Sequence, residues 1–350
     1  MNGRADPTRR ARRLRGLALA AWLLAGQTGC YYTHLAHGQL ALLWAREPVE
    51  ELLADDATPD ALRHRLALSQ SVRSFARELG LEVDGQYTSY VPWEGDRLVT
   101  TLVRARPGEV EPTPFRFPLV GALPYKGYFD REAALAEAAR LREEGFDVCV
   151  SPVVAYSTLG WVDDPLTGPM LRRARGDDEL VETLIHELVH ANGFWPEDTD
   201  FSESVASFIG GEGAVRFYEA RGDEAEARRA RARVDDDRRI AAVVLALRSE
   251  VEALYARSAA ADASAARAAL EAEARRRLAG LDLAVRSAER VAESARLSDA
   301  CLAIHGTYAA DLPLHASLFA ARGGDLRAFV ERLRSLAEVD APRAPWFERP

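Results

Sequence analysis

The segment Thr183–Ala191, TLIHELVHA, places His186, Glu187 and His190 inside an otherwise apolar run. On an α-helix, residues four apart share a face, so the two imidazoles stand side by side. That spacing suits two ligands of one tetrahedral zinc ion, and Glu187 beside the first can act as general base on a water that the ion polarises. Leu184, Ile185, Leu188, Val189 and Ala191 flank these residues, which predicts a buried helix. Burying two histidines and a glutamate is costly unless they are paired or bound. A metal ion accounts for their placement, and the chemistry it would serve is hydrolysis at a carbonyl carbon.

A catalytic zinc takes a third protein ligand and keeps one position open. Glu203, thirteen residues after His190, is the candidate: Gly193 and Pro196 turn the chain, and a helix beginning near Asp200 carries Glu203 in its first turn. The same residues have a second reading. Asp200 and Glu203 have capping-box spacing, in which Glu203 bonds backbone at the helix start. His305 and His315 are remote alternatives for the third ligand, and Glu212 is a candidate to support a ligand. Tyr156 and Tyr308 are candidate hydroxyl donors to a tetrahedral intermediate. VVAYSTLGW, residues 153–161, is the candidate edge strand to which an extended peptide could add.

The elements that must position these residues can be read in outline. Residues 31–80 have helical spacing in two stretches, the second with Thr58 as N-cap, Pro59 in its first turn and Gly80 at its end. His34, His37 and His64 lie there as ordinary helix-surface histidines. Residues 81–128 read as strands and loops, with FRFPLVGALPYKGYF as strand, turn, strand. A helix opened by Asp130 and closed by Gly145 leads into the β-rich FDVCVSPVV. Asp177 or Asp178 is expected to cap the motif helix, and Asn192-Gly193 to end it. From 221 to 298 the composition shifts to Ala, Arg, Glu and Asp, with Ile240, Val243, Val244, Leu247, Val251 and Leu254 at helical spacing. This predicts a solvated helical hairpin bent at AAADASAAR, or a surface for a protein partner. Residues 299–350 return as helices to a core spanning 30–220. The fold class expected is α+β, predominantly helical, with a small sheet.

The chain has 350 residues, enough for one or two domains. Its net charge is −9 and no basic patch is interleaved with aromatics, which argues against nucleic acid as a partner. Residues 1–29 read as an export leader: Arg9, Arg10, Arg12, Arg13 and Arg15 precede the apolar Leu17–Ala25, too short to span a bilayer. Gly29-Cys30 then marks Cys30 for lipidation, although Gln27 stands where such signals usually carry Leu. Tyr31 follows rather than Asp, so an outer-membrane anchor facing the periplasm is expected. Cys149 and Cys301 could pair in an oxidising compartment or stay as buried thiols, and no CxxC indicates a cysteine metal site.

Taken with GCYYTHLAHGQLALLWAREPVEELLAD, YKGYFDREAALAEAARLREEGFDVCV, AYSTLGWVDDPL, LIHELVHA and DTDFSESVASFIGGEG, the chain resembles the bacterial predicted zinc-dependent aminopeptidase family of exported lipoproteins over nearly its whole mature length. The resemblance implies a zincin-like metallopeptidase acting on peptides, with His186, His190 and Glu203 as zinc ligands and Glu187 as catalytic base. Ser202 stands where the family typically has Asn, and Gly210-Gly211 where acidic residues are common. These departures leave the ligands intact and bear on their support and on recognition of a substrate amine. The competing class is a noncatalytic envelope lipoprotein with a structural zinc site and a partner-binding hairpin. The intact Glu187 favours the enzyme, since a structural site needs no base.

If Cys30 is the anchor, a labelled fatty acid is incorporated into the wild-type chain and not into Cys30→Ser. Equal labelling of the two, or none in the processed wild type, would count against the anchor.

Overall fold

The computed structural model describes residues 31–348, with 32, 33, 36, 118–120, 156–162, 174, 175 and 340 excepted. The leader and Cys30 lie outside the described residues. The chain divides into two compact units between Ala45 and Arg46. The first contributes helical residues 37–44, on which Leu40, Leu43 and Trp44 are solvent-exposed.

In the second unit β1 (Glu47–Pro48) and α1 (Val49–Ala54) precede α2 (Asp60–Glu78). Pro59, not Thr58, is the N-cap of α2, and no side chain bonds the first N–H groups. Strands β2 (Ser89–Val91), β3 (Val99–Ala105), β4 (Phe115–Phe117), β5 (Gly121–Leu123) and β6 (Tyr125–Tyr128) lead to α3 (Arg131–Glu143), β7 (Asp147–Val153) and β8 (Leu166–Thr167). Asp130 caps α3 by accepting from the N–H groups of Glu132 and Ala133. Gly145, at a φ of 88°, turns the chain at its end, a conformation that costs glycine little. β3 lies between β6 and β7 and is antiparallel to both, so β6–α3–β7 is a crossover around a central strand. β4 and β5 form a separate hairpin, and β1, β2 and β8 a second three-stranded sheet. Of the expected edge strand 153–161, only Val153 belongs to β7. Residues 156–161 of it, Tyr156 included, lie outside the described residues.

Helices α4 (Gly168–Arg173), α5 (Asp177–His190), α6 (Thr199–Ala220), α7 (Glu224–Tyr255), α8 (Ala260–Ala279), α9 (Ala288–Ser294), α10 (Asp299–Ala309), α11 (Leu312–Ala321), α12 (Leu326–Ser335) and α13 (Arg343–Phe347) follow. The fold is thus α+β and predominantly helical. α5 and α6 sit at its centre. Leu180, Val181, Leu184, Ile185, Leu188 and Val189 are all fully buried, leaving α5 little face for water. They belong to one core with Phe75 of α2, Phe217 of α6, Phe329 of α12 and Trp346 of α13. α7 and α8 turn at 256–259, before most of AAADASAAR, and share a second apolar cluster that includes Val244, Leu247, Val251, Ala274 and Leu278.

Cys149 of β7 and Cys301 of α10 are disulfide-bonded. The adjacent Ala300 N–H donates to Asp147 Oδ2 at 2.7 Å, so α10 is fastened to this sheet at its N-terminal end. The bond closes a loop with a sequence separation of 152 residues. Removing a loop constraint of this kind costs about 2–5 kcal/mol. The Cys149→Ser/Cys301→Ser double variant is therefore expected to unfold at lower urea than the oxidised wild type. Labelling of Cys149 and Cys301 by a thiol reagent in the denatured, unreduced wild type would show that the two sulfurs are not joined.

Candidate metal centre

α5 begins without the expected side-chain cap. Gly176 is the N-cap, Asp177 turns to His64 at 2.6 Å, and Asp178 is buried beside Arg233. Asp177, Asp178 and Glu179 still place three acids in the first turn, where the helix dipole favours them. At the far end Asn192 closes the helix as the sequence suggests. Its amide donates to Leu188 O and Glu82 O and accepts from the Glu82 N–H.

The connection to α6 explains where Glu203 goes. A 3-10 turn at Pro196–Asp198 precedes α6, and Asp198 Oδ1 accepts from Phe201 N–H, so Asp198 is the cap. Ser202 Oγ accepts from Trp195 N–H and donates to Asp198 O, tying the loop to the helix. The Asp200–Glu203 capping box is therefore absent: Glu203 is the fifth residue of α6, past the unpaired first-turn donors. Its side chain is free to turn toward α5.

Two glycines let the helices approach closely enough for that to matter. A Cβ on Gly210 would meet the Glu182 carbonyl at 3.0 Å and His186 Cβ at 3.2 Å, and one on Gly213 would meet Ile185 Cδ1 at 2.9 Å. On another face of α6, a Cβ on Gly211 would meet Val234 of α7 at 3.1 Å.

His186 Nε2 and His190 Nε2 are 3.1 Å apart, and Glu203 Oε2 is 3.4 Å from each. A tetrahedral ion with bonds of ~2.0–2.1 Å holds its donors about 3.4 Å apart. Without an ion, one proton can lie between the two ring nitrogens, but the carboxylate then sits beyond normal hydrogen-bond distance of both. A cation at the common focus satisfies all three atoms. Among the described residues these three are the one group of His, Cys, Asp or Glu side chains placed to share a metal ion. Burial pushes the Glu203 carboxyl up, but the two imidazoles outweigh it and hold the group well below the usual carboxylate range. It is thus available as an anionic ligand. His190 Nδ1 is buried without a hydrogen-bond partner among the described residues, and Phe194 packs edge-on to the ring at 5.6 Å.

Glu187 faces the other side of this group. Burial raises its carboxyl to about 7, with His186 opposing and Glu203 and Asp164 adding. Three tyrosines converge on the two glutamates. Burial first, then the charge of Glu203, with Tyr125 and Glu187 adding, pushes the Tyr308 pKa well up. Tyr308 is 41% exposed although its hydroxyl is surrounded by protein, so it lines a cleft. Tyr125, at the start of β6, is raised by burial and then by Glu203 and Glu187. Tyr87 is raised by burial, then by Glu187 and Asp164. Its φ of 60° is unusual for an aromatic residue. That backbone is held by Tyr87 N–H donating to Asp164 O and Gln70 Nε2 donating to Tyr87 O. Tyr87, Tyr125 and Asp164 carry no spacing signal linking them to residue 186, so sequence reading missed them.

The remaining candidates go elsewhere. Glu212 is clamped by Arg231 and Arg238 at 2.7 and 2.8 Å and joins α6 to α7. Arg233 of α7 likewise donates to Glu182 at 2.8 Å, so the start of α7 is tied to both helices that carry the candidate ligands. His305 lies outside the group of three. His315 is fully buried and structural: Trp346 Nε1–H donates to its Nδ1, which leaves the ring proton on Nε2 to donate to Ser204 Oγ.

A family model described as "Putative aminopeptidase" matches residues 30–345. No curated protein and no solved structure matches the chain.

The His315 arrangement has a pH consequence. Burial, with Arg343 adding, lowers the ring from 6.5 to about 3. The folded chain then binds fewer protons than the unfolded one between these values, so this contribution is complete above pH 6.5 and is lost as pH falls toward 3. The slope is at most ~1.4 kcal/mol per pH unit. Urea unfolding at pH 7, 5.5 and 4.5 is expected to show a steeper acid loss in wild type than in His315→Gln. Parallel slopes would mean that the ring is not held neutral.

Proposed function

The chain belongs to the family whose model is described as "Putative aminopeptidase", and on that premise we propose that it is a zinc-dependent peptidase with a zincin-like core, acting as an aminopeptidase. The observation that carries this reading is the focus of His186, His190 and Glu203 at tetrahedral donor spacing, with Glu187 on the same helix as both histidines. When bound there, zinc supplies a Lewis acid that polarises the scissile carbonyl and makes water acidic enough to lose a proton near neutral pH. Glu187 takes that proton and returns it to the departing amine, and its raised carboxyl suits both steps. Tyr308 stays protonated at neutral pH and donates to the oxygen that gains charge, with Tyr125 beside it. The charge of Asp164 adds to the raising of the Glu187 carboxyl.

We place the enzyme in the bacterial envelope, held by lipid on Cys30. The leader-like residues 1–29 support this, as do the Cys149–Cys301 disulfide, which suits an oxidising compartment, and the exposed Leu40, Leu43 and Trp44.

Two variants test the roles of the carboxylates. Glu203→Gln is expected to lose most zinc and all hydrolysis, because a neutral amide is a poor ligand. Glu187→Gln is expected to keep zinc and lose roughly 10²–10⁴-fold in turnover, since no base takes the proton. Zinc content and cleavage of a peptide library are measured on both. Full activity in Glu203→Gln would move the third ligand elsewhere, with His305 the next residue to replace.

A further inference from the structure

Resting on the peptidase reading, we propose that the cavity between α6, α7, α10 and α11 receives a large apolar side chain of the peptide, the one flanking the scissile bond. The cavity measures about 340 Å³. Phe208 of α6, Ala241, Val244 and Leu245 of α7, and Leu312 of α11 give it an apolar lining. Two residues tie it to the metal centre. Tyr308 lines it, and its hydroxyl is perturbed by the Glu203 charge. Glu182 of α5 lines it too, and also lines a second cavity of about 250 Å³ that has His186 in its wall. Through Glu182 the apolar cavity is therefore one side chain away from the cavity that holds His186.

Its size and charge select the occupant. Sites for whole small molecules run from about 300 to 1,000 Å³, and this one is at the lower end, suited to one aromatic or branched side chain. The charged groups in its wall are matched internally. Glu182 is held by Arg233 at 2.8 Å, Asp237 by Arg286 at 2.7 Å, and Arg238 by Glu212 at 2.8 Å. A charged side chain entering would lose water and find no free counter-charge, whereas an apolar one gains contact with the lining. An apolar hollow also costs stability through the contacts its walls lack. A longer side chain at Ala241 would remove that cost, so the small residue is explained by an occupant that arrives with the substrate.

The test uses internally quenched peptides that differ at one residue, Trp, Phe, Leu, Gly or Glu, with cut sites located by mass spectrometry. The zinc-loaded enzyme is expected to cut beside Phe or Leu with kcat/KM at least ~10-fold above the Gly and Glu peptides. Ala241→Phe, which fills the cavity, is expected to bring the Phe-to-Gly ratio toward one with zinc retained. Leu245→Ala, which widens it, is expected to shift preference toward Trp, so one poorly folding variant does not decide the matter. A readout without turnover is saturation-transfer NMR of Ala-Phe-Ala and Ala-Gly-Ala on zinc-loaded Glu187→Gln, with and without Ala241→Phe. Cutting with equal rates for Phe and Gly overturns the pocket and leaves the peptidase reading standing. No cutting of any peptide, together with Phe-selective binding that Ala241→Phe removes, overturns the peptidase reading and supports the pocket. Binding that is absent, equal for both tripeptides or indifferent to Ala241→Phe overturns the pocket.

Discussion

The close approach of α5 and α6 at Gly210 and Gly213 is what brings Glu203 to the two histidines. Each glycine inside a helix costs up to about 1 kcal/mol relative to alanine. At position 210 the gain in propensity from alanine would be set against a Cβ pressed on the Glu182 carbonyl and on His186 itself, and neither can move without moving the ligand helix. Overpacking of this kind costs ~1–3 kcal/mol, which outweighs the propensity term. The stretch SFIGGEGAV thus keeps poor helix formers where the approach of α5 and α6 needs thin walls. Residues 210 and 211, which depart from the acidic pattern suggested by the resemblance, act here through size.

Around this contact the chain has had to manage a heavy load of buried charge. Asp178, Glu182 and Glu212 lie on α5 and α6, and Arg231, Arg233 and Arg238 of α7 meet them. Such pairs add little net stability once desolvation is counted, but losing one partner is expensive. Their effect is to fix the register of α7 against the two helices that carry the ligands. The Arg-rich run 228–239 therefore has a different meaning in space from its appearance in sequence. What reads as a solvated face is, over its first turns, the polar backing of the helices that carry His186, His190 and Glu203.

Legibility followed the range of the interactions. His186, Glu187 and His190 could be read because helix periodicity alone sets their geometry, and Asp130 and Gly145 because caps are local. Glu203 was visible as a residue type at a usable distance. Its competing role as a cap was settled only by the 3-10 turn, which starts α6 earlier and gives the capping task to Asp198. Tyr87, Tyr125 and Asp164 come into electrostatic range of Glu187 from distant segments, for which a single chain offers no spacing rule. The apolar cavity was equally hidden, since helices far apart in sequence build its walls. Tyr308 was named as a hydroxyl donor without any means of placing it, and it lies beside Glu203 because α10 is fixed to the sheet.

That fastening divides the assembly of the centre into two parts of very different contact order. The three ligands belong to a single helix–turn–helix, so they can come together through short loop closure as soon as α5 and α6 pack. The wall that carries Tyr308 depends on a junction between residues 149 and 301, which needs most of the chain to be present and two thiols to be oxidised. Cys301 and Tyr308 are two turns apart on α10, so the covalent link sets the helix's register before its far end meets the ligands. A nascent or reduced chain can in this way bring His186, His190 and Glu203 together before the wall that carries Tyr308 is in place.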